Sequence, residues 1–166
     1  MAYLLRKDRP NNSFEEWRTA RQRYSDHLES IKDKLPQSTY QFATAEWHYD
    51  GLHHRSPHDG WLEFVTVREP SSGDRNQYRT IEIHIRLLAA YHDGYIDLSY
   101  FDVRSYSLTA AMADFHPDMN NKGHQDWLYD EIRLSDRGNV LHEIEWSRGD
   151  HWVIECKDIR CDWTDV

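Results

Sequence analysis

Cysteine is scarce: Cys156 and Cys161 are the only two in 166 residues. That excludes a small secreted scaffold stapled by disulfides, and neither thiol lies in the Cys-x-x-Cys spacing of a redox pair. No apolar run approaches the ~20 residues that span a bilayer. The N-terminal MAYLLRKDRPNN reaches Arg6 and Lys7 before any secretory apolar stretch develops. The expected compartment is the cytoplasm, with no membrane partner. Basic charge is in deficit, 20 Lys and Arg against 29 Asp and Glu, for a net charge of −9. Nucleic-acid phosphate is held by clustered cations, so no nucleic-acid partner is expected, whereas a basic protein partner fits the charge. Gly-rich phosphate loops and dinucleotide fingerprints are missing too, and no cofactor is expected.

Aromatic residues and histidine are abundant instead: seven Trp, ten Tyr, five Phe and eleven His. The length suits a single domain over 1–166 with a full core. Ser13 and Glu16 form a capping-box signature. Phe14, Trp17, Tyr24, Leu28, Ile31 and Leu35 then recur every three or four residues, which predicts a surface helix over 14–34 that Pro36 stops. Ser38 with Gln41, and the spacing Tyr40, Ala43, Trp47, predict a second short helix, so that 13–47 is a helical N-terminal segment.

From Gly60 to 163 the period changes to two. Ile81, Ile83, Ile85 and Leu87 alternate with polar residues as a half-buried strand does. Further strands are predicted at about 61–68, 95–101, 103–109, 127–134, 139–146 and 151–163, with Asp, Gly, Asn and Ser between them. Short turns imply an antiparallel meander. The stretch 109–125 is the one long connection. Fold class is therefore α+β, mainly β: N-terminal helix packed on an antiparallel sheet that forms a sandwich or partial barrel.

Loop length is constrained because a one-residue slip turns every side chain to the other face. The odd-numbered set before Tyr91 and the even-numbered Ile96, Leu98, Tyr100 require an even loop. A two-residue Asp93-Gly94 turn of type I′ is expected, pairing Leu87 with Tyr100. The even sets Leu128, Ile132, Leu134 and Val140, Ile144, Trp146 require an odd loop. Asp136-Arg137-Gly138 provides it, placing His142 opposite Ile132. The same parity predicts Arg148-Gly149-Asp150 between Trp146 and Trp152. Cys156 and Cys161 can both face the core only if a bulge or bend near Lys157-Asp158 resets the phase.

Three constellations bear chemistry. His48, His53, His54 and His58, with Asp50 and Asp59, are a dense local set of metal-ligand types, although they lack the helical His-Glu-x-x-His spacing and lie in a loop with Gly51 and Pro57. The pair His58-Asp59 shares two letters with HD-type phosphohydrolases, whose ligands come from several helices; here it adjoins a predicted strand. Asp130 and His142 fall on one inward face as diagonal neighbours, a pair that either ties the sheet together or orients a general base. On the opposite face Tyr129, Glu131, Glu143 and Glu145, with Trp127 at the edge, form an acidic-aromatic candidate binding surface, or a face partly covered by the N-terminal helix.

The strings HDGWLEF, DWLYDEIRLS and HEIEW resemble a group of bacterial proteins with this helix-then-sheet layout, and the whole is similar to small acidic immunity proteins of bacterial toxin systems. The resemblance implies a non-enzymatic, protein-binding role. The leading expectation is an immunity-like interaction domain. The alternatives are a metal-dependent enzyme using the histidines and a small-ligand binder in an aromatic-lined barrel mouth.

Overall fold

The computed structural model describes residues 3–6, 13–110 and 123–166. Helix α1 spans Phe14–Ile31 and continues as a 3₁₀ turn over Lys32–Lys34. The Ser13 side chain caps it by accepting the Glu16 N–H at 3.2 Å. The core face is Ala20, Tyr24, Leu28 and Ile31, and Phe14 is 80% exposed, so the stripe starts one turn later than its spacing predicts. Helix α2, Gln37–Thr44, has no side-chain cap. Ser38 instead donates to Asp158, and Thr39, Phe42 and Ala43 are the buried residues.

Ten strands follow: β1 Trp61–Arg68, β2 Ser71–Ser72, β3 Tyr78–Arg79, β4 Glu82–Leu88, β5 Gly94–Phe101, β6 Ser105–Leu108, β7 Trp127–Leu134, β8 Val140–Trp146, β9 His151–Cys156 and β10 Asp158–Asp165. They form two four-stranded sheets, ordered β1-β4-β5-β10 and β6-β9-β8-β7, and the short ribbon β2-β3. All pairings are antiparallel. The meander expectation holds for β4-β5 and for β7-β8-β9. It fails for β6-β9 and β5-β10, because the chain crosses between sheets. It leaves the first sheet after β5 at Asp102 (φ 50°) and returns at Lys157. The bend expected at Lys157-Asp158 is this return, so the run 151–163 is two strands in two sheets. Both cysteines thereby pack on the core, Cys156 fully buried and Cys161 at its margin. A bridge between Trp61 and Asp126 joins β1 to the start of β7, closing another corner.

One core cluster takes Ile83, Ile85 and Leu87 from β4 and Ile96, Leu98 and Tyr100 from β5. It takes Ile132, Ile144, Trp146, Trp152 and Ile154 from the other sheet, and Ala20, Tyr24, Leu28 and Phe42 from the helices. The Tyr24 hydroxyl donates to the Ile132 carbonyl at 3.1 Å and accepts the Ile132 N–H at 2.6 Å. β7 is the last strand of its sheet, so α1 covers an edge that would otherwise be open to another chain. No helix among the described residues is long and apolar enough to cross a membrane. Within the long connection, 111–122 lie outside the described residues.

The hairpins separate parity from register. Ser135 pairs with Asn139 across Asp136-Arg137-Gly138, with Gly138 at φ 74°, as loop length requires. The β8–β9 loop is odd, but it is Ser147-Arg148-Gly149, one position earlier than expected, with Ile144 opposite Trp152. The β4–β5 loop is even yet four residues long: Leu87 faces Ile96, not Tyr100, and the positive φ is at His92. The type I′ Asp93-Gly94 turn is thus overturned. Gly94 lies in β5 beneath Trp163, where a Cβ would stand 2.1 Å from the indole.

Candidate functional site

Asp130 of β7 and His142 of β8 meet as parity requires, Oδ2 to Nε2 at 3.0 Å, with His142 opposite Ile132. The structure adds three partners. Trp127 donates its indole N–H to Asp130 at 3.1 Å, and Tyr100 of β5 reaches His142 Nδ1 at 2.9 Å. His48, from the segment after α2, lies 2.9 and 3.1 Å from the two carboxylate oxygens through Nε2. Its Nδ1 is 2.8 Å from the Phe42 carbonyl. The ring is stacked between Phe42 and Tyr49.

The acceptors fix the protons. A carbonyl and a carboxylate only accept, so His48 donates from both nitrogens and is an imidazolium. His142 donates from Nε2 to the Asp130 carboxylate, and its Nδ1 shares a hydrogen bond with the Tyr100 hydroxyl. Burial alone would push the Asp130 carboxyl up. The His48 charge and the hydrogen bonds from both histidines outweigh it and hold the carboxyl far below the usual carboxylate range. Burial, with Cys156 and Asp130 nearby, raises Tyr100 well above the ordinary phenol, keeping it a donor. Asp130, His48, His142 and Tyr100 are all buried. The neighbouring cavity, bordered by Trp17, Tyr49 and His58, has a volume of about 20 Å³, room for one water. Every nitrogen of this network is engaged within the protein, and its chemistry is to tie the post-α2 segment and both sheets together.

The other metal-ligand candidates go elsewhere. His53 Nδ1 accepts the Arg55 N–H at 3.1 Å, His54 pairs with Asp93 and stacks on Tyr91, and His58 lies 3.2 Å from Asp59. The Asp50 side chain accepts the Leu52 N–H at 3.0 Å. Among the described residues no three His, Cys, Asp or Glu side chains group as ligands. His48, taken in sequence with this set, has its partner 82 residues away.

The acidic-aromatic face is enclosed. Glu131 and Glu143 are buried, and Glu131 accepts the N–H groups of Tyr3 at 2.7 Å and Leu4 at 2.8 Å. Arg133 bridges Glu131 and Glu143, and His151 lies 3.2 Å from Glu143. Glu145 takes Arg6, through the backbone at 2.8 Å and Nε at 3.1 Å. Tyr129 packs on Trp17 with ring centres 5.0 Å apart. Trp127 is not on this face: a bulge between Trp127 and Tyr129 turns it inward, opposite Trp146. The chain's own N-terminal residues and α1 occupy the surface.

Tyr100 and the His48–Asp130 link were not read from sequence. The signals were there in part: Tyr100 falls on the inward parity of β5, and His48 sits between Trp47 and Tyr49, a setting that suggests burial. Comparison with known proteins finds no matching family model, curated sequence or solved structure.

Proposed function

We propose that this chain is a non-enzymatic protein-interaction domain, immunity-like in binding a basic partner protein, and that strand β1 is its contact surface. The observation that carries the reading is the exposure of Trp61 (43%), Phe64 (39%) and Val67 (41%) on one strand at the end of its sheet. Beyond the Trp61–Asp126 bridge, β1 has β4 as its only neighbour among the described residues. Exposed rings beside open backbone groups are what a protein partner desolvates most favourably. The net charge of −9 favours a basic partner and speeds its approach. The enclosure of the Asp130–His142 pair supports the non-enzymatic side of the reading.

The test is capture of partners by the native protein and by a Phe64→Thr, Val67→Thr double variant. Both side chains are substantially exposed and Thr suits a strand, so the fold is retained. A single basic protein that the native chain holds, that the variant loses and that elutes with rising salt is the expected result. A partner held equally by both proteins would overturn the assignment of the surface. A turnover assay in which the purified chain processes a substrate, abolished by Asp130→Asn without unfolding, would overturn the non-enzymatic reading.

A further inference from the structure

At the opposite end of the first sheet from β1, strand β10 pairs with β5 as its only strand neighbour among the described residues and packs against α2. Its free side borders a groove of about 390 Å³ between α2 and β10, along which lie Gln41, Phe42, Trp47 and Cys161. A recess of about 70 Å³ shares Trp47 and Cys161 with the groove and adds Arg55 and Trp163. Trp163 is set there by Gly94, since any side chain at 94 would strike the indole.

One hydrogen bond shows which backbone groups face the groove. The Ile159 N–H is donated to Thr39 Oγ1 of α2 at 2.9 Å, so Ile159 turns its backbone away from β5. Alternate residues of an antiparallel strand present N–H and C=O to the same side. Cys161, at the groove, and Trp163, at the recess, therefore direct theirs to the side away from β5, where no described strand meets them. Thr39 stands at the start of that edge in the place an incoming carbonyl would take.

Arg55 provides an independent observation. Its guanidinium lies over the Trp163 ring, 5.7 Å from the centroid, and forms no ion pair among the described residues. An unpaired guanidinium beside a backbone edge is suited to a carboxylate. Asp162 borders the same groove and would repel a run of acidic residues, so a single carboxylate fits.

We propose that an extended peptide segment adds to β10 as a further strand, with an aromatic or apolar side chain against Trp47 and Trp163 and one Asp or Glu side chain on Arg55, since a strand running along the edge presents side chains rather than its terminus. The proposal rests on the reading of the chain as an interaction domain but uses a surface separate from β1.

The test selects displayed random peptides on the intact protein and measures the recovered peptides by fluorescence anisotropy, each with a free and an amidated C-terminus. Recovered peptides are expected to combine one carboxylate with an aromatic or apolar residue and to weaken about tenfold on Arg55→Glu. They should also slow hydrogen exchange at the Cys161 and Trp163 amides and bind the Phe64→Thr, Val67→Thr variant normally. Binding is expected to survive amidation of the peptide C-terminus, and its loss would overturn the assignment of an acidic side chain to Arg55. Arg55 is exposed, so its substitution leaves the fold intact. Recovery of no peptide, equal binding to Arg55→Glu, or unchanged exchange at both amides would overturn the proposal. The β1-dependent partner is measured separately, so failure of this groove is distinguishable from failure of the interaction reading.

Discussion

Asp130 receives three N–H donors inside the core, from His48, His142 and Trp127. A buried ion pair contributes little net stability compared with a well-packed apolar pair, but losing one partner strands the other charge. Asp130→Asn keeps the shape and leaves the His48 imidazolium without its counter-charge. It is expected to lose about 3–5 kcal/mol in equilibrium urea unfolding. A loss below about 1 kcal/mol, within the reach of a neutral hydrogen bond, would mean that His48 is uncharged in the folded protein. The Asp130–His142 half of the site was legible, because parity and one turn with a left-handed glycine fix which residues oppose. The His48 half was not: a contact across 82 residues leaves no trace in local periodicity.

Elements follow the sequence pattern closely in identity and less closely in register. β7 and β8 pair as parity and Gly138 require, whereas β4 and β5 keep the expected faces with a different register. A shift by an even number of positions preserves every inward residue, so the apolar pattern cannot choose between such registers. Two glycines show the difference. Gly138 serves the backbone, at φ 74° with open space within 4 Å of where a Cβ would stand, while Gly94 serves packing against Trp163. Gly138→Ala is expected to lose about 1–2 kcal/mol and Gly138→Asn much less, since Asn enters the left-handed region more readily. Gly94→Ala is expected to lose about 1–3 kcal/mol by overpacking. Trp163→Leu should relieve part of that loss in a double-mutant cycle and show no coupling to Gly138→Ala. Thermal or urea unfolding of the set measures both.

For the whole molecule, the paired carboxylates set the response to acid. Asp97 is pushed up by burial, but hydrogen bonds from Arg86 and His84 outweigh this and lower it, the direction shown more strongly by Asp130. A carboxyl lowered on folding stabilises the protein fully above its unfolded value, about 3.9 for Asp, and the contribution is lost as pH falls toward the folded value. Unfolding midpoints followed from pH 7 downward are expected to hold until about pH 5 and then fall. Asp130→Asn should flatten this fall and retain the part due to Asp97. An unchanged slope in the variant would show that Asp130 titrates alike in both states.

By itself the sequence determined the helix-then-strand order, most strand positions, the inward faces and the pairing of Asp130 with His142. Each depends on side-chain period, turn residues or short loops, which are local properties of the chain. Only the tertiary structure decided the division of 151–163 between two sheets, the joining of His48 and Tyr100 to Asp130, and the burial of Glu131 by the N-terminal residues. It also decided that β1 and β10 are the ends of one sheet, one exposed and one bordering a groove. These depend on which distant surfaces meet once the strands have paired, and a two-residue period repeats identically whichever neighbour a strand takes.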